Sequence, residues 1–377
     1  MRETSHAAER LLSAMDRAGA WPARSPWIRQ AAAALPREQF APQRIWHWNG
    51  HDYTPVDHRL DPDRWDAIVY PGPDEPTVTH IIDGVPTSSL SCEAIVADML
   101  DSLLLEEGHR TLELGTGSGR NAALLAYQAG PGRVITVEVD EELAASARRV
   151  LREARAEVIV QVGDGGAGCP ADAPFDRVIS TYAVDPVPWA WVAQTRPGGR
   201  IVTPWGRLGH VALTVAPDGK SASGWMQGLA QFMPSRATRA EPAWREIREQ
   251  CEAHGERHFV RDIALLRTHA HLRFALRVAV PDLRIATAPD VDADGVNAWL
   301  HDGVSSWATL SAQEDGRTTA HQGGPRNLAD ELEQAWQRWL DAGQPELYDF
   351  GMTVEPARQT VWCEKPEAVW RTTDTAP

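Results

Sequence analysis

In Thr111-Leu-Glu-Leu-Gly-Thr-Gly-Ser-Gly-Arg-Asn121, glycines recur at 115, 117 and 119 between an apolar run and an alanine- and leucine-rich segment. Two acids follow at matching places. Glu138 closes the run Val134-Ile-Thr-Val-Glu138, and Asp164 stands between Gly163 and Gly165. Glycine tolerates positive φ and lets the backbone come close to a ligand. A helix starting just after such a turn offers unpaired N–H groups and a partial positive charge. A carboxylate at 138 can accept hydrogen bonds from both hydroxyls of a ribose, and a short acid at 164 can meet an adenine amino group. Glycine, acid, acid at successive strand ends is the pattern of an S-adenosylmethionine site. A pyrophosphate-binding dinucleotide fold favours G-x-G-x-x-G, and Ser118-Gly119 breaks that spacing.

Other polar groups invite weaker readings. Thr87-Ser-Ser-Leu-Ser91 precedes an apolar-faced segment that reads as a helix from about Cys92 to Leu104. Ser91 is a plausible N-cap there, although Ala94 in place of Glu removes the capping box. Asp185, in the loop from Tyr182 to Pro188, could contact a peptide amide or a cationic side chain, or cap the helix starting near Trp189. His47, His51 and His58, with Asp52 or Asp57, could be written as a metal set. Trp48-Asn-Gly50 is poor helix sequence, so local hydrogen bonding is the preferred reading and no metal is expected. Cys92, Cys169, Cys251 and Cys363 show neither zinc nor disulfide spacing, which points to a reducing cytoplasm.

The elements that must position these residues can be read from periodicity. Strands at 111–114, 133–138, 157–161, 177–181 and 200–204 alternate with helices at 120–129, 140–154 and 189–195. That alternation predicts an α/β fold with a doubly wound, mostly parallel sheet. Two further strands, 209–215 and 221–232, are joined at Pro217-Asp-Gly219. Before this core lie helices at 5–20 and 26–35, then an irregular stretch, 43–86, expected to wrap over the cofactor site. After Pro234 the composition changes. Residues 241–256 and 326–341 read as helices, and 271–280, 309–312, 346–354 and 360–363 as strands. The predicted division is a methyltransferase domain at 1–236 and an α+β domain at 237–377 that recognises substrate.

The net charge of −15 over 377 residues argues against nucleic acid as partner. No apolar run approaches the roughly 18 residues of a membrane span, and residues 1–20 lack a signal-peptide core. Some of the sixteen tryptophans fall in loops and could line a peptide cleft.

Together these motifs resemble the protein-L-isoaspartate O-methyltransferase family. Leu112–Gly119 looks like its first cofactor motif. Gly163-Asp-Gly165 with Ala173-Pro-Phe-Asp176 looks like the second, and Pro197-Gly-Gly-Arg-Ile-Val202 like the third. Leu35-Pro-Arg-Glu-Gln-Phe40 and Phe232-Met-Pro234 resemble family signatures on either side. The resemblance implies that Gly115, Gly117 and Gly119 hold the methionine end of S-adenosylmethionine, with Glu113 and Thr116 as further contacts. It also implies Glu138 on the ribose, and Asp164 with Gly165 on the adenine. Ser91 fills the position of the serine beside the methyl-accepting carboxyl, and Ser89 stands where the family has threonine. Cys92-Glu93 replaces the usual Gln-Pro, implying altered acceptor recognition.

The length, together with Asp185-x-x-Pro188-x-x-Trp191, resembles long actinobacterial relatives that accompany ribosomal-peptide maturation of the graspetide and lanthipeptide types. The activity this implies is methylation of an aspartate in a modified peptide, the ester then closing to an aspartimide and the cofactor leaving as S-adenosylhomocysteine. Broad isoaspartyl repair is the alternative. An inactive peptide-binding scaffold and a small-molecule methyltransferase are further ones.

Overall fold

Strands that are apolar on both faces form the centre of the sheet that carries the site. In the computed structural model, which describes residues 6–206, 208–235, 242–290, 295–313 and 317–375, the chain starts with helices α1 (His6–Ala18) and α2 (Trp27–Ala34). A small sheet follows, built from β1 (Arg44–Trp48), β2 (Tyr53–Asp57), β3 (Thr77–Ile82) and β4 (Val85–Leu90), with α3 (Pro62–Val69) between its second and third strands. It runs β2-β1-β3-β4, antiparallel throughout. The stretch expected to be irregular is therefore a sheet. Its strands escape notice because β1 and β2 each bury a single residue, Ile45 and Val56, against Trp65 and Val69.

The core elements come next: α4 (Glu93–Leu103), β5 (Thr111–Leu114), α5 (Arg120–Ala129), β6 (Val134–Glu138), α6 (Glu141–Glu153), β7 (Val158–Val162), β8 (Phe175–Ser180), α7 (Trp189–Ala193), β9 (Thr195–Trp205), β10 (Gly209–Val215) and β11 (Ala222–Leu229). Every residue of β5 and β6 is buried, as in parallel strands covered by helices on both faces. Asp140 caps α6 by accepting from the Glu142 and Leu143 N–H groups. Strands β7-β6-β5-β8-β9 are parallel, and β10 and β11 continue antiparallel. The chain leaves β5 toward one side and returns as β8 on the other. The crevice beyond the ends of these two strands is therefore the switch point where open α/β sheets bind ligands.

After residue 242 come α8 (Trp244–Gln250), β12 (Ala253–Phe259), α9 (Leu265–Thr268), α10 (Ala270–Ala279), β13 (Arg284–Pro289), β14 (Val296–His301), β15 (Trp307–Ala312), β16 (Thr318–Gly323), α11 (Leu328–Asp341), β17 (Phe350–Glu355), β18 (Arg358–Cys363) and β19 (Val369–Asp374). Strands β12–β16 form a sheet of their own, whereas β17 pairs with β11, and β18 and β19 extend the central sheet to ten strands. The sheet is thus parallel in one half and antiparallel in the other. The predicted boundary at 236/237 lies outside the described residues. The last three strands of the predicted C-terminal unit share the sheet of the cofactor core.

Two further expectations are corrected. The helix predicted at 241–256 stops at Gln250, and 253–259 is a strand paired with β16. Residues 271–280, predicted as a strand, are helix α10, which buries Leu272, Phe274, Ala275, Leu276 and Val278. Those residues satisfy a helical stripe as well as an alternation. His269 settles the outcome by accepting the Leu272 N–H at its Nδ1, 3.1 Å away.

Candidate active site

The glycine loop leaves β5 at the switch point. Gly115 has φ +94°, and a Cβ there would fall 2.5 Å from Thr181 Oγ1. Gly117 has φ +51° and donates its N–H to Glu138 Oε2 at 2.9 Å. Gly119, also at positive φ, precedes α5. It does not line the cleft: its Cα faces α6, where a Cβ would stand 3.3 Å from Leu151 Cγ. The structure thus gives it a packing contact with α6 and does not bring it into the cleft where the cofactor contact was expected.

Glu113 is likewise beneath the loop and not in the cleft. Its fully buried carboxyl accepts from Asn121 Nδ2 at 2.9 Å and from the Thr136 hydroxyl, which is 2.7 Å from Thr116 Oγ1. Burial, with Glu138 nearby, pushes this carboxyl up to about 7 against the effect of those hydrogen bonds. Glu113 therefore supports the loop from below.

Glu138 and Asp164 line the cleft with Gly115, Thr116, Gly117 and Gly165. Glu138 Oε1 accepts from the Asp140 N–H at 3.2 Å, so the carboxylate is held by backbone at both oxygens. Asp164 Oδ1 accepts the Gly166 N–H at 2.8 Å. Tyr182, missed in the sequence, covers this end: a Cβ on Gly165 would lie 2.5 Å from its hydroxyl. Burial first, then Asp164 and Glu138, raise the Tyr182 hydroxyl above its ordinary value, so it stays a neutral donor. Behind the turn, the fully buried Trp191 donates Nε1–H to the Gly165 carbonyl at 2.8 Å. Trp191→Phe removes that bond while the Gly168 N–H still donates to the same carbonyl at 3.0 Å, so stability should fall by about 0.5–1.5 kcal/mol, the net worth of one hydrogen bond. Calorimetric melting with and without S-adenosylhomocysteine checks this; an unchanged melting temperature would show that the bond contributes nothing.

The opposite wall is the end of β4. Ser88 and Leu90 are buried and Ser89 and Ser91 half-buried, and all four line the cleft. Ser88 accepts from Thr79 Oγ1 at 3.2 Å, and a Cβ on Gly117 would fall 3.2 Å from its Oγ. The N-cap of α4 is Cys92, in extended conformation with no side-chain cap, so Ser91 is not the cap. Instead the Ser91 carbonyl accepts from Arg37 Nη1 at 2.6 Å, while Arg37 Nε donates to the Val69 carbonyl at 2.8 Å. Arg37 also lies 3.6 Å from Glu93, which takes Arg120 in a bidentate pair at 2.8 and 2.9 Å. All three side chains are buried. The replacement of Gln-Pro by Cys92-Glu93 thus sends its carboxylate into the core. Arg120 follows the glycine loop and Arg37 grips the serine wall, so Glu93 ties the two sides of the cleft together.

Asp185 is neither a cleft residue nor a cap. It pairs with Arg371 of β19 at 3.2 Å, and Pro188 is the N-cap of α7. Among the described residues no group of three or more His, Cys, Asp or Glu could hold a metal, and the His58 ring packs edge-on against Trp65. No helix of the described residues is long and apolar enough to cross a membrane.

The donor set suits S-adenosylmethionine. A carboxylate fixed by two backbone N–H groups, a loop where side chains are excluded at 115, and a second acid beside a glycine turn match a ribose, a methionine moiety and an adenine. The cleft measures about 1730 Å³, beyond the roughly 300–1,000 Å³ that encloses a drug-sized ligand.

Comparison with known proteins agrees with this geometry. The model of the Protein-L-isoaspartate(D-aspartate) O-methyltransferase family matches residues 67–228. Protein-L-isoaspartate O-methyltransferase 1 of Anaeromyxobacter sp. (strain Fw109-5) is 37% identical over 198 residues, spanning 52% of this chain and 79% of that one. The Methanopyrus kandleri protein-L-isoaspartate O-methyltransferase is 36% identical over 186 residues, 48% of this chain and 70% of its own. A solved protein-L-isoaspartate O-methyltransferase aligns with 95% of this chain and all of its own, with a TM-score of 0.52 at 20% identity, a likeness of fold alone.

Proposed function

Because the chain belongs to the protein-L-isoaspartate(D-aspartate) O-methyltransferase family and is an S-adenosylmethionine-dependent carboxyl methyltransferase, we propose that it methylates an isoaspartyl or aspartyl carboxylate held in a peptide or protein. The observation that carries this reading is one juxtaposition: Ser89 and Ser91 line the same cleft as Gly115, Gly117 and Glu138. The cleft's volume leaves room for a polypeptide beside the cofactor.

When bound at the glycine loop, the cofactor supplies an electrophilic sulfonium methyl group. The acceptor carboxylate is already ionised at neutral pH, so no protein base is needed. What the chain contributes is placement. The Ser91 and Ser89 hydroxyls donate to the acceptor carboxylate and aim one oxygen at the donor. A neutral hydroxyl orients that oxygen without quenching its nucleophilicity as a lysine would. Arg37 fixes the wall by holding the Ser91 carbonyl. Ser91→Ala is expected to lower kcat about three- to tenfold, the worth of one hydrogen bond. The affinity for S-adenosylhomocysteine should not change. Methyl transfer to an isoaspartyl peptide at saturating cofactor measures this, and an unaltered kcat would remove Ser91 from the reaction.

The breadth of substrate separates two readings. Broad isoaspartyl repair is favoured by the relatives. Both relatives carry the name of that activity. The second reading is a dedicated enzyme of a ribosomal-peptide pathway, whose aspartyl ester is attacked by the following backbone nitrogen and expels methanol to leave an aspartimide. Asp74, Asp98 and Asp101, which also line the cleft, support a restricted acceptor range. A generic isoaspartyl peptide and a modified precursor peptide, assayed side by side by mass spectrometry, decide between them. Turnover of the generic peptide supports repair, and a methyl gain followed by methanol loss on the precursor alone supports the dedicated enzyme. The cytoplasm is the proposed setting, with all four cysteines as thiols.

A further inference from the structure

From Ser91 the cleft continues along α4, past Ile95 and Asp98 to Asp101, and Leu229, Gln231 and Trp21 also line it. The charged side chains lining this half are Asp74, Asp98 and Asp101. Arg120, which also lines the cleft, is committed to Glu93. An acceptor that must bring a carboxylate into such a groove gains from positive charge elsewhere on the same chain.

The three acids are not equivalent. Asp101 is already matched, accepting from Arg24 Nε at 3.2 Å and from Ser25 Oγ at 2.7 Å. Among the described residues Asp98 has no basic partner of that kind. Its half-exposed carboxyl faces His210, whose Nε2 lies 3.6 Å from Asp98 Oδ2. His210 is fully buried, and among the described residues neither ring nitrogen has a hydrogen-bond partner of good geometry, only a backbone contact with Gly228. Burial pushes the imidazole down to about 4, so it faces the carboxyl as a neutral ring, not as a counter-ion. Burial, with Asp101 nearby, pushes the Asp98 carboxyl up to about 6, which marks a carboxylate short of positive charge. Space is kept for the pair by Gly228 of β11: a Cβ there would fall 2.5 Å from Asp98 Oδ2 and 2.9 Å from His210 Cε1.

We propose that Asp98, backed by His210 and given room by Gly228, receives a lysine or arginine side chain of the acceptor polypeptide and so selects acceptors with a basic residue near the methylated one. This rests on the reading of the acceptor as a polypeptide. The spacing follows from helix geometry. Asp98 is five residues along α4 from Glu93, roughly 7.5 Å at about 1.5 Å per residue. An extended peptide covers that distance in about two residues.

The test is a set of isoaspartyl peptides with Lys, Ala or Glu two residues before or after the acceptor. Each is assayed for kcat/KM with the full-length wild type, with Asp98→Asn and with Asp98→Lys. The wild type should prefer Lys over Glu on one side of the acceptor by about tenfold, the scale of one hydrogen bond to a charged group. That ratio should fall toward one in Asp98→Asn and reverse in Asp98→Lys. Raising the salt should shrink the wild-type preference. A ratio near one in the wild type, with the peptides turned over, overturns the proposal and leaves the polypeptide acceptor standing. A Lys preference that persists in both variants removes Asp98 from the recognition. If no peptide is turned over while S-adenosylhomocysteine still binds, the polypeptide reading fails and this inference fails with it.

Discussion

Glu93→Ala is expected to destabilise the protein by about 3–5 kcal/mol, the range for removing one partner of a buried ion pair. Two guanidiniums depend on this one carboxylate. Arg120 makes two hydrogen bonds to it, Arg37 lies 3.6 Å away, and none of the three is more than marginally exposed. Burial already pushes Arg37 down to about 10 with Glu93 in place. The urea midpoint at pH 7 measures the loss, and a change below about 1 kcal/mol would sink the idea that Glu93 holds the two walls together. The pH profile supplies a second check. Burial alone would raise the Glu93 carboxyl, but Arg120 and Arg37 outweigh it and hold the group below its ordinary value of 4.5. The unfolded chain therefore binds this proton at higher pH than the folded one. The stabilisation is fully present above 4.5 and is lost as the pH falls through the folded value. Glu93→Ala should lack that part of the acid limb.

A buried charge network is weak evidence for stability as such, because apolar replacements of the whole set are often tolerated. The triple variant Arg37→Met, Glu93→Leu, Arg120→Met separates stability from placement. It should recover much of the stability lost in Glu93→Ala yet stay poor in methyl transfer. The reason is that no group then holds the Ser91 carbonyl, which Arg37 now contacts at 2.6 Å. Full activity in the triple variant would mean that the serine wall keeps its shape unaided.

The cofactor half of the site was legible because its chemistry is local. Glycines at a strand end and acids at the ends of neighbouring strands are spaced by the strand–helix repeat itself, and Gly115, Gly117, Glu138 and Asp164 do meet in one cleft. Gly119 and Glu113 belong to the same run, yet one packs on Leu151 and the other sits under Thr136. Which side of a turn faces the ligand depends on helix α6 and strand β6, and neighbours in sequence do not reveal it. Asp185 was misread for the same reason, since its partner Arg371 lies 186 residues away. Tyr182 and Ser88 carry no spacing signal. The small sheet stayed hidden because β1 and β2 bury one residue each. Residues 346–354 and 360–363 were legible as strands, but their place in the cofactor sheet was not, because antiparallel strands name no partner in their own residues.

Glu138→Ala should weaken S-adenosylhomocysteine binding by about a hundredfold or more. Two ribose hydroxyls donating to one carboxylate contribute roughly 1.5–3 kcal/mol each, and about 1.4 kcal/mol is a factor of ten. The carboxylate also prepares the loop: Oε2 holds the Gly117 N–H and Oε1 the Asp140 N–H, so its removal frees the turn that the cofactor must meet. Glu138→Gln keeps the shape and one acceptor oxygen but presents an amide toward N–H groups, so an intermediate affinity is expected. Isothermal titration gives the affinities, and the kinetics locate the effect. If Glu138 acts on the ribose and not at the reacting carboxylate, most of the loss should appear in the KM for the methyl donor. The kcat at saturating donor should stay close to wild type. A Kd within threefold of wild type would take Glu138 out of the cofactor site. A kcat that collapses at saturation would mean that loop placement, through Gly117, governs the approach of the methyl group to the serine wall.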